Sequence, residues 1–457
     1  MILGKCINIS KELGSEPAII FAQWIGSSNV VRNQKINEFD KKEANQAYAH
    51  FKKELSFLKD VPAQILRNAA NNVYLDLESA KKGIRHKPKV KAKHKKRKCI
   101  ITNELFTLKK VSHSHTQITF YTSNNPKKRK PFFKTIVPIQ KEWIGQQIIV
   151  SRQGEQYTLS FSFDDQQKVK SNDQLLEEFS YLTKEELKDI TVGYDRGVVT
   201  AVYGSNDTTF TYSIEEANKL KHLEKKRKKQ QAYNDRQRNR HNRFYKKQQQ
   251  KIKDKKKEVA QPLPKTSNNQ KKIKKRIAKN HRKIKHIRYD FSHRVSKAIV
   301  ANTPKICVFE DLKLNNMTKR PQPKQDENGH YLPNGASAKA GLNKAILNMA
   351  LGQIKTFTQY KLNQAGKAYL EVPAPYTSLV HNACKGKNTE RLSQSELYCF
   401  DCNESVHADF NASHNIKEQG IQQLLDKTFT TKKKKKVTIR KNKNSETNET
   451  PLTQKKG

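Results

Sequence analysis

Three acidic residues stand where carboxylates from distant parts of the chain can meet. Asp195 and Glu310 each close a short apolar segment, and Asp409 lies at the start of a segment typical of a helix. One carboxylate alone means little, but three that converge can hold two divalent ions. Two such ions clamp a phosphodiester and activate water. The three residues therefore predict a metal-dependent nuclease with two Mg²⁺ ions in its active site.

A second group of residues has the spacing of a metal site. His381 and Cys384 are followed by Cys399 and Cys402, an HxxC…CxxC pattern that fits tetrahedral zinc. His407 is the alternative fourth ligand, and the cysteines can also be without a metal. Four protein ligands leave no position open for water, so this Zn²⁺ is expected to be structural.

The charge of the chain indicates a polyanionic partner. The 457 residues contain 91 Lys and Arg against 43 Asp and Glu, a formal net charge of +48, and nucleic acid is the usual partner of such an excess. The sequence has no long apolar span and no signal peptide, so we expect a soluble, cytoplasmic protein with no membrane partner. Cys6, Cys99 and Cys307 are scattered and are expected to be ordinary small apolar residues.

The N-terminal third combines helices with a β unit. Residues 16–82 have helical spacing, with an apolar stripe after Pro62, and residues 85–98 form a basic run suited to phosphate contact. Residues 100–164 alternate, with a hairpin turning at Gly154, and predict a small antiparallel barrel.

The remainder predicts an α/β order. Residues 189–213 suggest three strands, the second over 198–202, and residues 214–302 a charged helical hairpin broken by Pro262 and Pro264. A strand, a helix, a strand and a helix then follow at 305–310, 342–364, 369–372 and 409–425. This is the order of an RNase H-like fold, whose nucleases carry metal-binding carboxylates on the first strand, at the end of the fourth and on the last helix.

Several motifs resemble a known family. They are GYDRG at 193–197, FEDL at 309–312, NKAIL at 343–347, VPAPYTS at 372–378, RLSQS at 391–395 and ADFNAS at 408–413. These motifs look like TnpB, the OrfB protein of bacterial insertion sequences, which is related to type V CRISPR effectors. A looser similarity, FLKDVPAQ at 57–64 and the basic segment near Arg85, extends it toward the N-terminus.

The resemblance implies an RNA-guided DNA endonuclease. In this family a β-barrel wedge and a helical recognition lobe hold a structured guide RNA and read a short motif beside the target, and one Mg²⁺-dependent RuvC site cuts both DNA strands. The family's carboxylates correspond to Asp195, Glu310 and Asp409. Its zinc ribbon corresponds to residues 377–405, although the family usually has Cys at 381 and Gly after each CxxC. Arg391 is either a phosphate contact near the site or part of a ribbon salt bridge.

The expected architecture is therefore an α/β protein with an RNase H-like (RuvC) nuclease domain, an inserted zinc ribbon, an N-terminal β-barrel wedge and a helical recognition lobe. The expected boundaries are 1–15 and 98–185 for the wedge, 16–97 for the recognition lobe, 186–376 and 406–425 for the nuclease domain, 377–405 for the ribbon and 426–457 for a disordered basic tail.

Two other functions fit the same residues. A guide-independent transposase or nuclease would use the same fold without RNA, and a binding-only guided repressor would normally have lost one of the three carboxylates. The expected partners are a structured guide RNA and double-stranded and single-stranded DNA, bound by a monomer in the bacterial nucleoid.

Overall fold

A computed structural model describes residues 2–39, 46–90, 97–164, 169–254 and 267–429. The described residues form two compact units, one within residues 2–164 and one within residues 169–429. Residues 430–457 of the predicted disordered tail (426–457), the centre of the basic run at residues 91–96, and Pro262 and Pro264, the predicted breaks in the helical hairpin, lie outside the described residues. None of the helices in the described ranges is long and apolar enough to cross a membrane.

The first unit contains seven strands and three helices. They are β1 (Ile2–Asn8), α1 (Ser15–Phe39), α2 (Phe51–Glu54), α3 (Ala63–Lys81), β2 (Arg97–Thr102), β3 (Phe106–Lys110), β4 (Thr116–Tyr121), β5 (Pro131–Val137), β6 (Gln147–Gln153) and β7 (Gln156–Asp164).

The strands of this unit form two sheets around one apolar core. One sheet has the order β1–β7–β6–β2 and the other β3–β4–β5. A short 3₁₀ turn over Asn103–Leu105 separates β2 from β3, and the barrel stays a prediction. The predicted β6–β7 hairpin is present and turns at Gly154, whose φ of 64° suits glycine. Phe21 of α1 and Phe120 of β4, both fully buried, meet edge to face in the core.

The second unit contains the predicted α/β order. Its first part consists of α4 (Asn172–Phe179), α5 (Lys184–Ile190), β8 (Thr191–Asp195), β9 (Val202–Gly204), β10 (Thr209–Phe210), α6 (Ile214–Asp254), α7 (Asn268–Asn302) and β11 (Ile306–Glu310). Its second part consists of α8 (Leu314–Met317), β12 (Lys324–Gln325), β13 (Tyr331–Leu332), α9 (Ala336–Met349), α10 (Leu351–Gln364), β14 (Ala368–Val372), β15 (Thr389–Arg391), β16 (Glu396–Cys399), β17 (Glu404–His407) and α11 (Ala408–Leu425).

A five-stranded sheet with the order β10–β9–β8–β11–β14 organises this unit. The strands β10, β9 and β8 are antiparallel, and β8, β11 and β14 are parallel. Because side chains alternate along a strand, Tyr194 and Phe309 point to one face of the sheet. They pack there with residues of α7 and α10, whereas Val308 packs on the opposite face with α11 and α5.

Two predicted elements differ from the structure. The second strand is β9, Val202–Gly204, and not residues 198–202, because residues 196–201 form a tight loop in which a Cβ on Gly197 would lie 2.7 Å from the Thr200 carbonyl oxygen. The predicted helix 342–364 is two helices, α9 and α10. Ala350 joins them in a left-handed conformation, with φ 53°, which its residue type gives no reason to expect.

The long basic hairpin is anchored at its base by a buried acid. Glu224 on α6, 3% exposed, forms ion pairs with Arg288 on α7 and with Lys344 on α9. Farther out, the Asn280 amide donates to the Gln230 side chain at 3.0 Å. A buried carboxylate is tolerated only when partners replace its lost hydration, and Arg288 and Lys344 do so here.

Two glycines allow α11 to lie directly on the sheet. A Cβ on Gly193 of β8 would lie 2.4 Å from the Ser413 carbonyl oxygen and 2.5 Å from the Lys417 amide nitrogen, both in the α11 backbone. A Cβ on Gly420 of α11 would lie 2.6 Å from the Val308 side chain of β11. The spacing between α11 and the sheet therefore depends on the absence of side chains at these two positions.

Gly193→Ala is expected to destabilise the second unit by about 3 kcal/mol or more, because backbone atoms on both elements would have to separate. Equilibrium urea unfolding measures this loss. The matched control is Gly341→Ala in α9, where the added Cβ meets no atom within 4 Å and a helix gains about 1 kcal/mol from alanine. Equal stability of the two variants would contradict the close approach of α11 to β8.

Candidate active site and metal centre

The fold brings the three predicted carboxylates to one end of the sheet. Asp195 ends β8 and Glu310 ends the neighbouring parallel strand β11, where Phe309 is paired with Tyr194 one position earlier. Since Tyr194 and Phe309 point to the α7 and α10 face, the next residues of both strands point to the α11 face. Asp409 lies in the first turn of α11, on that same face.

The negative charges of the three carboxylates lie close together in a site that is largely shielded from water. Burial raises the pKa of Asp195, and the Asp409 carboxylate adds to the rise. Burial also raises the pKa of Glu310, and the charge of Asp195 contributes, with a hydrogen bond joining the two side chains. Without a cation, Asp195 and Glu310 therefore keep a proton to a higher pH than free carboxyl groups do.

Two arginines lie close to this acidic cluster. Arg196, 4% exposed, donates from Nη2 to the Glu310 carbonyl oxygen at 2.5 Å and lies 4.9 Å from the centre of the Phe309 ring. Its Nε and Nη1 have no hydrogen-bond partner within the described residues. The positive charge of the exposed Arg391, on β15, partly offsets the rise in the pKa of Asp195. Arg391, the predicted phosphate contact, therefore lies close to the carboxylates.

The start of α11 is fixed against the sheet by His407. The His407 ring caps the helix by accepting from the Phe410 amide at 3.4 Å, and it stacks on Tyr203 with ring centres 5.4 Å apart. Tyr203 is the residue of β9 that pairs with Asp195. This chain of contacts places Asp409 beside Asp195, and it gives His407 a role other than metal binding.

A second cluster brings together His381, Cys384, Cys399 and Cys402, whose ligand atoms all lie within 4.8 Å of one another. The His381 Nδ1 atom lies 3.1 Å from the Cys384 sulfur and 3.3 Å from the Cys402 sulfur, and the Cys384 and Cys399 sulfurs are 3.5 Å apart. Bonds of about 2.0–2.3 Å to a tetrahedral zinc ion produce separations of this size. The group could therefore hold zinc, and His381 is its histidine.

The three-stranded ribbon around this cluster uses unusual residues in its two metal turns. Lys385 and Asn403, each directly after a cysteine, have φ of 59° and 58°. These are the positions where the family usually has glycine, which adopts such a conformation without strain. Next to the first turn, a Cβ on Gly386 would lie 2.3 Å from the Asp401 carboxylate. The backbone at Lys385 and Asn403 thus keeps the left-handed conformation that glycine would favour.

Two buried asparagines of α11 connect the ribbon to the acidic cluster. The Asn411 side chain accepts from the Asn382 amide at 2.6 Å and donates to the Val380 carbonyl oxygen at 2.8 Å. Asn415, one turn later, donates to the carbonyl oxygens of Thr377 and Val380. Because Asn411 follows Asp409 by two residues, the folding of the ribbon helps to position that carboxylate.

The sequence motifs included several supporting residues without showing what they do. Gly193 was visible only as part of GYDRG, and Asn411 only as part of ADFNAS. Their partners are contributed by α11 and the ribbon, and no local pattern reveals which backbone a glycine approaches. The chemistry of Asp195 and Cys384 is apparent from residue type and spacing, whereas that of Gly193 and Asn411 depends on neighbours far away in the chain.

Two family models match this chain. One, described as "Cas12f1-like, TNB domain", matches residues 352–416, which include the metal cluster and Asp409. The other, OrfB_IS605, described as "Probable transposase", matches residues 241–321, which include Glu310. A stretch of 157 residues is 36% identical to the "Putative RNA-guided DNA endonuclease InsQ" of Escherichia coli (strain K12) and covers 34% of this chain. It spans only 38% of that relative's length.

Two solved complexes that contain RNA align with most of this chain. A Cas12f1–sgRNA–target DNA complex aligns over 88% of this chain and 83% of its own, at 16% identity and a TM-score of 0.46. CasPhi-2 (Cas12j) bound to crRNA aligns over 93% and 98%, at 10% identity and a TM-score of 0.43. The chain is an α/β protein with an acidic cluster and a Cys₃His cluster. Parts of this chain are therefore similar to the two family models and to InsQ, in agreement with the resemblance of its motifs to TnpB (OrfB).

Replacing Asp195 with Asn is expected to stabilise the protein at pH 8 without divalent ions, by about 1–3 kcal/mol. A carboxyl group whose pKa is raised by folding binds more protons in the folded state, so its contribution to stability falls as pH rises above about 4. The advantage of Asp195→Asn should therefore shrink at pH 5. Thermal unfolding at both pH values measures it, and a variant less stable than wild type at pH 8 would contradict the repulsion.

Elemental analysis of the purified protein is expected to find about one zinc ion per chain, the occupancy of one closed four-ligand site. His381→Ala should lower the zinc content, whereas His381→Cys should retain it, because thiolate and imidazole both suit tetrahedral zinc. His407→Ala is the matched control and should keep its zinc. Full occupancy in His381→Ala, or loss of zinc only in His407→Ala, would exclude His381 as the fourth ligand.

Proposed function

We propose that this protein is an RNA-guided, metal-dependent DNA endonuclease that cuts both strands of a target beside a short flanking motif. Its catalytic unit is an RNase H-like (RuvC) domain, formed by the five-stranded sheet with α6, α7, α10 and α11. The observation that carries the proposal is the meeting of Asp195, Glu310 and Asp409 on one face of that sheet. The similarity to the OrfB_IS605 family model and to InsQ, named as an RNA-guided DNA endonuclease, supports the guided mechanism.

The acidic cluster fits divalent cations. Carboxylate oxygens are the ligands that Mg²⁺ prefers, and the raised pKa values of Asp195 and Glu310 mean that a cation which replaces their protons stabilises the cluster. Asp195, Glu310 and Asp409 would hold two Mg²⁺ ions. A pair of bound ions supplies an activated water and stabilises the leaving 3′ oxygen of the phosphodiester.

The arginines near the cluster have different roles in this proposal. The exposed Arg391 guanidinium contacts the DNA phosphate next to the scissile bond, where a planar donor group binds two phosphate oxygens. Arg196 is buried and holds the Glu310 backbone through its carbonyl oxygen, so it acts as a positioning residue behind the carboxylates. The Cys₃His cluster holds a structural Zn²⁺ that keeps Arg391 and the start of α11 in place.

The guide RNA accounts for the charge of the chain. A formal charge of +48 exceeds what a short DNA duplex at one active site can neutralise. The first unit would supply the wedge and the recognition lobe, and the protein would act as a monomer within the ribonucleoprotein. Base pairing with the guide selects the target sequence, while the protein recognises duplex shape and the flanking motif.

A guide-independent transposase or nuclease is the second candidate, because one matching family model carries the description "Probable transposase". The same carboxylates and metal ions would then act on DNA that the protein selects alone. A binding-only repressor is less favoured, because Asp195, Glu310 and Asp409 are all present and adjacent. The requirement for RNA separates the first two functions, and cleavage itself separates both from the third.

Protein freed of RNA by nuclease treatment and high salt is expected not to cut a plasmid that carries the target, in the presence of Mg²⁺. Adding back the co-purified RNA should restore cutting, because base pairing supplies the sequence selection. Gel analysis of plasmid linearisation measures this result. Sequence-specific cutting at full rate without RNA would overturn the guided mechanism and favour the transposase.

With the RNA added back, Asp195→Ala, Glu310→Ala and Asp409→Ala should each lower the cleavage rate by at least about a thousandfold. Each substitution removes a ligand of the metal ions that act on the reacting groups. RNA binding should remain near that of wild type. Glu185→Ala, which removes an exposed carboxylate from α5, is the matched control and should cut normally. Wild-type cutting by any of the three would exclude that residue from the active site.

A further inference from the structure

Exposed aromatic side chains lie between lysines on the outer side of α7 and α10. The surface, called here the α7–α10 aromatic face, consists of Tyr289, His293, Phe357, Tyr360, Lys297 and Lys361. Tyr289 is 43% exposed and Tyr360 is 40% exposed. The core of this unit takes other residues of the same helices, such as Phe291, Val295 and Ile354, so these rings are not needed to cover the sheet.

The rings form a continuous series across the two helices. His293 stacks on Phe357, with ring centres 4.2 Å apart and planes 23° apart. Tyr289 meets both rings edge to face, at 4.5 Å from His293 and 5.3 Å from Phe357. Tyr360 continues the series at 6.0 Å from Phe357. Burial and the charge of Lys361 lower the pKa of His293, so its ring is neutral near pH 7.

Ammonium groups lie beside these rings. Lys361 donates from Nζ to the His293 carbonyl oxygen at 2.8 Å and to the Ser296 hydroxyl at 2.7 Å, which fixes its position. Burial and the neighbouring charge of Lys297 lower the pKa of Lys361, so the two ammonium groups repel each other. Within the described ranges Lys297 forms no ion pair, and Asp290 is the only acidic residue of α7. An anion between Lys297 and Lys361 would relieve their repulsion.

Partly exposed aromatic rings next to lysine ammonium groups match the chemistry of unpaired nucleotides. Bases stack on aromatic side chains, and the phosphates of the same strand are bound by neighbouring lysines. A protein partner would need a surface that is both acidic and apolar. The alternation of rings and ammonium groups favours such a partner less than it favours unpaired nucleotides. A paired duplex would offer phosphates to the lysines but no free base to Tyr289 or Tyr360.

We propose that the α7–α10 aromatic face binds unpaired bases of the guide RNA by stacking them on Tyr289 and Tyr360, with their phosphates at Lys297 and Lys361. This inference rests on the proposed guided function. RNA, and not the DNA strand to be cut, is the occupant, because α7 and α10 cover the face of the sheet opposite α11. Asp195, Glu310 and Asp409 lie on the α11 side, where the DNA must go.

Photocrosslinking in the complete ribonucleoprotein identifies the occupant. The photoreactive amino acid p-benzoylphenylalanine replaces Tyr360, and the complex with its co-purified RNA and labelled target DNA is irradiated. We expect crosslinks to RNA, mapped by primer extension to unpaired nucleotides. The control carries the same residue in place of Ile214, which is 82% exposed in the same unit next to Glu215 and Glu216 and should give few RNA crosslinks. Crosslinks to DNA only, or to neither nucleic acid, would overturn the proposal.

Binding measurements test the stacking itself. The double variant Tyr289→Ala with Tyr360→Ala should weaken binding of the co-purified RNA by at least about tenfold at constant salt, the loss expected when bases lose their stacking partners. Tyr289→Phe with Tyr360→Phe keeps both rings and should bind like wild type. Circular dichroism melting checks that both double variants are folded. Equal affinity of the two folded double variants would show that the rings do not bind bases.

These results can be separated from failure of the proposed function. If cleavage proves independent of RNA but Tyr360 crosslinks to unpaired RNA nucleotides, the aromatic face stands and the guided mechanism fails. If cleavage requires RNA but the position crosslinks to no RNA, the guided mechanism stands and the aromatic face fails.

Discussion

The contact between α11 and the central sheet is the constraint on which the active site depends. Asp409 is on the helix, whereas Asp195 and Glu310 are on the strands, and like charges favour separation of the two layers. Gly193 and Gly420 counteract this tendency: Gly193 lets the backbones of β8 and α11 touch, and Gly420 lets the Val308 side chain reach the backbone of α11. The many short contacts of such an interface supply dispersion and exclude water. The same exclusion of water raises the pKa values of Asp195 and Glu310, so the geometry that assembles the site also creates its need for cations.

The Cys₃His ribbon extends this constraint beyond the sheet. It lies between β14 and α11 in the chain, and its base is held by the amides of Asn411 and Asn415. Its last strand, β17, leads directly into the helix that carries Asp409, with His407 capping the start of that helix. A metal ion in the ribbon would therefore stabilise more than a small loop. It would reduce the freedom of the residues that carry Asp409 and Arg391, although neither residue binds that ion.

The two faces of the sheet divide the chemistry of the unit. The face toward α11 holds the carboxylates, and the face toward α7 and α10 holds an apolar core with aromatic rings and lysines on its outer side. This division follows from the alternation of side chains along β8 and β11. Tyr194 and Phe309 are directed into one core, and the residues immediately after them are directed to the other side. A nucleic acid can therefore contact the outer helices without occupying the acidic cluster.

Residue type and spacing determined much of this molecule. Short apolar strands ending in Asp195 and Glu310 and the spacing of the Cys₃His group are local signals, and the structure brings the two groups of residues together. Local signals failed where a distant partner decides the conformation. Ala350 breaks a helix that its sequence favours, and β9 begins only at Val202 because residues 196–201 form a tight loop after Asp195. The sequence thus specified which groups can do chemistry, since that depends on residue type. The tertiary structure decided their separation, burial and pKa, since these depend on which backbones approach closely enough to exclude water.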